Sequence, residues 1–178
     1  APLRVLGRDH DAEVEARARG WRGSEVVVKR PGRPDLPFAT PLVGAHQARN
    51  AALAALVALD LGGSYEAVAT GAARTSWPGR LERVEHPRGA VVLDGAHNPA
   101  AAAALASTLR TLGVRPVGVL GVSQEKDVGG ILEALLPQLG GWYATRAVHS
   151  PRALDPERLA AVGASLGHPP AGWDPEPH

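Results

Sequence analysis

An aspartate and a histidine lie three positions apart in LDGAHNP, at residues 93–99, where an apolar run gives way to an alanine-rich segment. Asp94 at a strand end can accept hydrogen bonds from the vicinal hydroxyls of a ribose. A helix that begins just after it offers free N–H groups and a positive dipole to phosphate, and His97 can donate to an anion. The stretch is therefore compatible with nucleotide chemistry. A second interpretation stays open, in which Asp94 and Asn98 cap the helix and His97 is a solvated loop residue.

A strand and a helix are predicted on either side of this stretch. AVVLDG, at residues 90–95, has the apolar composition of a buried strand. Asn98 is a typical N-cap, Pro99 suits the first helical position, and Gly113 can end the helix. Residues 90–113 are therefore expected to form one strand–helix unit.

The same unit repeats twice more along the chain. PVGVLGV precedes a helix predicted across Ile131–Leu139, and WYATRAV precedes a helix with Asp155 as its N-cap. Three such units in a row predict an α/β fold with a parallel sheet, whose ligands bind beyond the carboxyl ends of the strands. The loops at those ends contain Asp94, residues 123–127 and residues 149–152, and we expect them to face one cleft.

The preceding part of the chain has a different pattern. LRVLG, SEVVVKR and LPFATPL are short strand-like runs separated by polar or Gly/Pro residues, which is typical of a small antiparallel sheet. His46–Leu61 is alanine- and leucine-rich and predicts a helix that ends at a glycine pair, and Ser64 can cap a second helix. The change of pattern near Pro87 predicts two domains, 1–86 and 87–178.

Composition excludes several classes of protein. The 178 residues are 44% apolar, as expected for a chain that buries a core, and the net charge of +1 gives no reason to expect nucleic-acid or membrane binding. The absence of cysteine excludes disulfides and thiolate metal sites, and no apolar run approaches a membrane span. A cytoplasmic protein is the expectation. Because the chain has no methionine and begins with Ala-Pro, we also expect a fragment of a longer protein.

Three motifs extend this interpretation. GAHQARNAA at residues 44–52, WPGRLE at 77–82 and LDGAHNP at 93–99 occur in an order and at spacings that resemble the folylpolyglutamate synthase/dihydrofolate synthase family of the Mur ligase superfamily. SQEKD at 123–127 and SPRALDPERLA at 150–160 resemble later loops of that family. The resemblance covers nearly the whole chain. It implies the end of a central ATP-binding domain, followed by a C-terminal domain with a Rossmann-like parallel sheet.

The resemblance implies an ATP-dependent amide ligase. In such an enzyme ATP phosphorylates a folate carboxylate to an acyl phosphate, which the amine of L-glutamate attacks through a tetrahedral intermediate. The implied ligands are ATP, Mg²⁺, a folate-type substrate and L-glutamate. This chemistry needs cations and hydrogen-bond donors placed around the phosphates.

Four residues take roles by the same resemblance. Asn50 reads the adenine edge, Asp94 holds the ribose hydroxyls, and Arg80 in its Pro-Gly-Arg turn contacts the ATP phosphates. His97 is the implied catalytic residue, near the phosphoryl group in transit. These assignments would give each part of ATP its own partner.

Lys126 and Arg152 are implied to face the carboxylate of the incoming glutamate. Without the resemblance, Lys126 and Asp127 are a solvated pair, and helix capping explains the loop of Arg152 equally well. His46 and Gln47, in the first motif, are assigned structural roles.

The chain lacks two parts of the family's pattern. No G-x-x-x-x-G-K-[ST] phosphate loop is present, and no segment matches the family's magnesium ligands, which belong to its larger N-terminal portion. We therefore assign no metal ligand here, expect that N-terminal portion as a partner, and expect no ligase activity from this chain alone. Two other functions stay open: a cell-wall ligase that joins amino acids to a nucleotide-linked sugar, and a nucleotide-binding module without catalysis.

Overall fold

A computed structural model describes residues 12–173, and contacts divide the chain into two compact units, Ala1–Gly95 and Ala96–His178. The predicted strand LRVLG, at residues 3–7, lies outside the described residues. The domain boundary near Pro87 stays a prediction, because contacts report compactness rather than the boundary between ancestral domains.

The described part of the first unit contains a three-stranded antiparallel sheet. Its strands, in spatial order, are β1 (Glu13–Ala18), β2 (Ser24–Lys29) and β3 (Leu36–Thr40), with a short 3₁₀ helix at Gly20–Arg22. Alternate residues of β2 and β3 are buried, as a period of two predicts for a half-buried strand. Val26 pairs with Ala16 on one side and with Phe38 on the other. The strands predicted from SEVVVKR and LPFATPL are therefore confirmed.

Two helices pack against this sheet. They are α1 (Ala45–Asp60) and α2 (Tyr65–Ala73). Ala48, Ala52 and Leu56 recur at a spacing of four on α1, so one face of the helix is buried in the core with the sheet. The Ser64 Oγ accepts the Ala67 N–H at 3.1 Å, which caps α2. Both predicted helices and the predicted cap are confirmed.

A short antiparallel hairpin closes the first unit and corrects one expectation. Its strands are β4 (Glu82–Val84) and β5 (Val91–Leu93). The sequence predicts residues 90–95 as the first strand of the parallel sheet, but the structure pairs β5 with β4 instead. The intervening turn explains the difference, because the Gly89 N–H donates to the His86 carbonyl at 2.9 Å and the chain reverses there. Gly89 has a φ of 126°, which glycine alone adopts easily.

The second unit, as described up to residue 173, contains a three-stranded parallel sheet and three α-helices. Its elements in chain order are α3 (Pro99–Leu112), β6 (Val117–Leu120), α4 (Val128–Leu135), a 3₁₀ helix at Leu136–Gln138, β7 (Gly141–Ala144), α5 (Pro156–Ser165) and β8 (Gly172–Trp173). The strands lie in the order β6-β7-β8 and all pairs are parallel. The predicted α/β fold with a parallel sheet is confirmed, with β8 rather than β5 as its third strand.

A side-chain cap begins each of the helices α3, α4 and α5. Asn98, Asp127 and Asp155 each accept a backbone N–H of the first helical turn at 2.8–2.9 Å. Helix α3 ends at Gly113, whose φ of 69° is left-handed. The predicted caps at Asn98 and Asp155 and the predicted end at Gly113 are confirmed. The helix expected across residues 131–139 begins earlier, directly after Asp127, because that carboxylate caps it.

Residues 12–173 include neither a membrane-spanning helix nor a cluster of metal ligands. No helix in this range is long and apolar enough to cross a membrane. Nor does any group of three or more His, Cys, Asp or Glu side chains in the same range lie together so that it could hold a metal ion.

Leu56 and Leu61 make a matched pair that tests where the core of the first unit lies. Leu56 on α1 is 1% exposed, whereas Leu61, just beyond the helix, is 84% exposed. Leu56→Ala should lower the free energy of unfolding by about 2–5 kcal/mol because it leaves a cavity. Leu61→Ala should change it by less than about 0.5 kcal/mol. Urea denaturation followed by circular dichroism measures both, and equal effects would contradict this packing.

Candidate functional site

The turn that carries Arg80 is held by the Asp94 carboxylate. Glu82 pairs with Leu93 at the open end of the hairpin. The register of β4 and β5 therefore places the residues just beyond this pair, Leu81 and Asp94, side by side. The Leu81 backbone N–H donates to Asp94 Oδ2 at 2.9 Å. A carboxylate at the end of a short strand thereby fixes the residue that follows Arg80.

Leu81 needs such an anchor because its backbone conformation is unusual. Its φ is +48°, the one positive value among the described non-glycine residues, and the residue is 3% exposed. The left-handed region costs a leucine about 1–2 kcal/mol, while a hydrogen bond to a charged group contributes about 1.5–3 kcal/mol. The bond to Asp94 and the burial of the leucine side chain therefore offset the strain.

Two further hydrogen bonds close the same turn. The Gly79 N–H donates to Glu82 Oε2 at 2.8 Å, and the Gly95 N–H donates to the Gly79 carbonyl at 2.9 Å. Gly79 has a φ of 69°, which a glycine adopts without strain. Residues 79–82 are therefore tied to one another and to the residue after Asp94.

The Arg80 side chain lies folded against this turn and is half-buried. Its Nη1 donates to the Gly79 carbonyl at 3.3 Å, and its Cζ lies 5.8 Å from the centre of the Trp77 ring. A guanidinium over an indole face is a cation–π contact. The planar fork of a guanidinium also suits hydrogen bonding to phosphate or carboxylate oxygens. Arg80 is therefore a cation held in place by its own turn.

A cavity of about 230 Å³ lies beside the turn, and its lining includes Trp21, Trp77, Arg80 and Arg83. The Arg83 Cζ lies 5.5 Å from the centre of the Trp21 ring, and its Nη2 lies 3.0 Å from a Glu85 carboxylate oxygen. Two guanidinium groups therefore rest on two indole rings at one cavity. Because Glu85 neutralises part of the charge of Arg83, Arg80 is the stronger anion-binding candidate.

A second cavity, of about 410 Å³, lies between α1 and α2 of the same unit. Alanine and glycine residues form much of its wall, and Gln47, Asn50 and Trp77 also line it. The Asn50 Nδ2 donates to Gln47 Oε1 at 3.4 Å. Apolar walls with an amide at the edge suit a flat heterocyclic ring. Since Trp77 lines both cavities, Asn50 and Arg80 belong to neighbouring cavities of one unit.

His46, to which the sequence assigns a structural role, belongs to the same group. Burial lowers the pKa of His46 below its ordinary value of 6.5, the Asp94 carboxylate opposes that shift, and the Arg80 guanidinium adds to it. The His46 imidazole is therefore close enough to Asp94 and Arg80 for their charges to affect its pKa. A neutral imidazole is the form favoured at pH 7, and it adds no charge beside Arg80.

His97 belongs to the second unit and lies directly before α3. Its side chain is exposed, and the next residue, Asn98, caps the helix by accepting the Ala101 N–H at 2.8 Å. The structure therefore places the imidazole at the start of a helix, as the sequence predicts. An anion bound at this end would meet both the helix dipole and an imidazole donor.

Lys126 and Arg152 lie on two loops that contact each other within the second unit. The Gln124 N–H donates to the Arg152 carbonyl at 2.8 Å, and an antiparallel bridge joins the same loops. Both side chains are exposed beyond the carboxyl ends of β6 and β7. Two of the three loops that we expected to face one cleft are therefore hydrogen-bonded to each other. The third loop, which carries Asp94, begins in the first unit.

A known family model matches the part of the chain that runs from this turn through the second unit. Residues 79–172 match the model described as "Mur ligase, glutamate ligase domain". Over 141 residues the chain is 46% identical to the dihydrofolate synthase/folylpolyglutamate synthase of Mycobacterium tuberculosis. That match covers 71% of this chain and 28% of the relative, so the chain spans less than a third of the relative's length.

Solved structures are also similar to this chain. A Mycobacterium tuberculosis folylpolyglutamate synthase complexed with ADP and AMPPCP is 39% identical, with a TM-score of 0.78, over 93% of this chain and 39% of that one. A Yersinia pestis bifunctional folylpolyglutamate synthase/dihydrofolate synthase complexed with AMPPNP and a manganese ion is 30% identical, with a TM-score of 0.64, over 77% of this chain and 33% of that one. Proteins similar to this chain therefore bind nucleotides, and one of them was solved with a divalent metal ion.

The lowered pKa of His46 predicts a pH-dependent contribution to stability. Because His46 binds a proton less readily in the folded than in the unfolded chain, stability should fall as the pH drops through 6.5 and stop falling below the folded-state pKa. His46→Gln should remove this contribution and flatten the fall. Urea denaturation of both proteins between about pH 5 and 7.5 measures it. The same pH dependence in both would contradict a half-buried, neutral His46.

Proposed function

Because the chain belongs to the Mur ligase family, we propose that it serves in an ATP-dependent amide ligase that adds L-glutamate to folate or dihydropteroate. Its similarity to folylpolyglutamate and dihydrofolate synthases supports this choice of acceptor. In the proposed reaction the γ-phosphoryl group of ATP moves to a carboxylate of the acceptor, which leaves ADP and an acyl phosphate. The glutamate amine then attacks the acyl carbon, and the tetrahedral intermediate releases phosphate.

The observation that carries this proposal is the pair of neighbouring cavities that share Trp77. One has a cationic lining that suits phosphates, and the other has apolar walls with an amide that suit an adenine ring. Arg80 is accordingly assigned to the phosphates and Asn50 to the adenine edge. Asp94 is assigned to the ribose hydroxyls, since its carboxylate follows β5 beside the turn that carries Arg80, and carboxylate oxygens accept hydrogen bonds from hydroxyl groups.

The exposed His97 is assigned to the phosphoryl group in transit. Phosphoryl transfer redistributes charge over the phosphoryl oxygens, and a positioned donor stabilises that charge more strongly in the transition state. Lys126 and Arg152, on their two joined loops, are assigned to the carboxylate of the incoming glutamate. A guanidinium binds a carboxylate with two parallel hydrogen bonds, which would also orient the amine for attack.

Mg²⁺ is the metal ion that we assign to the complete ligase, by analogy with the manganese ion of the Yersinia pestis protein. The residues of this chain do not fit it by themselves, because residues 12–173 hold no group of three or more potential ligands. We place the magnesium ligands and the phosphate loop in the rest of the ligase. A cytoplasmic location, where ATP and folates are both at hand, belongs to the same proposal.

Variants of the complete ligase test the assignments to phosphate. His97→Ala should lower kcat about a hundredfold or more and change the KM for ATP less, since the donor acts mainly on the transition state. His97→Gln keeps a donor and should retain part of the activity. Arg80→Ala should lower kcat and also raise the KM for ATP. Initial rates of ADP release with a pteroate or folate acceptor and L-glutamate measure all three.

Exposed residues of the loop between β4 and β5 provide matched controls. His86→Ala and Arg88→Ala should leave kcat and the KM for ATP unchanged. The 178-residue chain alone should release no ADP. A nearly normal kcat for His97→Ala would leave the imidazole a bystander. Turnover of a nucleotide-linked sugar acceptor, with none of a folate, would assign the chain to cell-wall ligation instead.

A further inference from the structure

We propose that Gly95 and Glu82 are positioning residues for Arg80. Glu82 closes the turn that carries Arg80, and Gly95 leaves the space in which the guanidinium lies. Both act through Arg80 rather than on the nucleotide. Their effect on ATP use rests on the proposed contact between Arg80 and the phosphates.

A side chain at Gly95 would enter the space in which the Arg80 guanidinium lies. A Cβ on Gly95 would overlap Arg80 Nη1 and would lie 3.6 Å from both Arg80 Cζ and the Gly79 carbonyl oxygen. The backbone of Gly95 is outside the left-handed region, so its conformation does not require glycine. A side chain at residue 95 would therefore act by displacing the Arg80 guanidinium, and not by straining the backbone.

Glu82 holds the other end of the turn. Its Oε2 accepts the Gly79 N–H at 2.8 Å in a partly buried hydrogen bond. The Gly79 carbonyl in turn accepts the Gly95 N–H at 2.9 Å and Arg80 Nη1 at 3.3 Å. A carboxylate accepts a stronger hydrogen bond than a neutral group does. Glu82 therefore orients the residue whose carbonyl receives the guanidinium.

Together these contacts fix the guanidinium against both the Trp77 ring and Gly95. A side chain that is already ordered loses less conformational freedom when it binds a ligand. A change that fills the space at Gly95, or that removes the hydrogen bond from the Gly79 N–H to Glu82, should therefore weaken phosphate binding although the positive charge of Arg80 stays. This outcome differs from that of Arg80→Ala, which removes the charge itself.

NMR of the 178-residue chain tests the positioning directly. In Gly95→Ala the Arg80 Nε–H and Trp77 Nε1–H cross-peaks should move, because the added Cβ displaces the guanidinium, while Tm stays close to that of the wild type. Gly141→Ala is the matched control, since a Cβ there meets no atom within 4 Å, and it should leave both cross-peaks in place. Unchanged cross-peaks in Gly95→Ala would overturn the role of Gly95.

The same cross-peaks test Glu82. Glu82→Ala should move them, because the Gly79 N–H loses its acceptor. Glu82→Gln, whose amide oxygen can still accept that N–H, should restore them in part. Cross-peaks that stay in place in Glu82→Ala, or that move equally in both variants, would overturn its role as an acceptor.

A double-mutant cycle in the complete ligase shows whether Gly95 acts through Arg80. Gly95→Ala should lower kcat/KM for ATP about tenfold, and it should cause no further loss in the Arg80→Ala background. Equal losses in both backgrounds would overturn the inference. If Arg80→Ala itself left ATP use unchanged, the proposed function of Arg80 would fail, and the NMR cross-peaks would still decide whether Gly95 positions it.

Discussion

One hydrogen bond, from the Leu81 N–H to Asp94 Oδ2, holds together the turn on which the proposed nucleotide chemistry depends. It stabilises the buried Leu81 at a φ of +48° and so fixes the path of the backbone in the WPGRLE turn, residues 77–82. Glu82 and Gly95 complete the turn, and Arg80 is folded against it. Because the register of β4 and β5 brings Asp94 to Leu81, a pair of three-residue strands determines where the half-buried Arg80 lies.

The two units position their candidate residues by different physical means. In the first unit, backbone and carboxylate hydrogen bonds of a tight turn position Arg80 and Asp94, whereas helix α1 carries Asn50. In the second unit, His97 lies at the start of helix α3. The loops assigned to glutamate follow the carboxyl ends of strands β6 and β7 in the parallel sheet. The family match over residues 79–172 takes in parts of both units.

Local features such as helix caps can be predicted from the sequence, whereas the pairing of strands that are distant in the chain cannot. The cap at Asn98 is confirmed because a cap depends on residues within one helical turn. The partner of β5 differs from the prediction because an apolar run of three residues fits a hairpin as well as a parallel sheet. The motifs identify Arg80 as a candidate phosphate-binding residue. The positive φ of Leu81 and the effects of Asp94 and Arg80 on the pKa of His46 depend on tertiary contacts, which composition and periodicity do not predict.

Amide hydrogen exchange at Leu81 tests most directly whether Asp94 holds the turn. In the wild-type chain the Leu81 N–H should exchange slowly, because it is hydrogen-bonded and the residue is buried. In Asp94→Ala it should exchange at nearly the rate of an unprotected amide, while Val26 and Val28 in the sheet exchange as before. Equally slow exchange at Leu81 in Asp94→Ala would contradict the central role given to this bond.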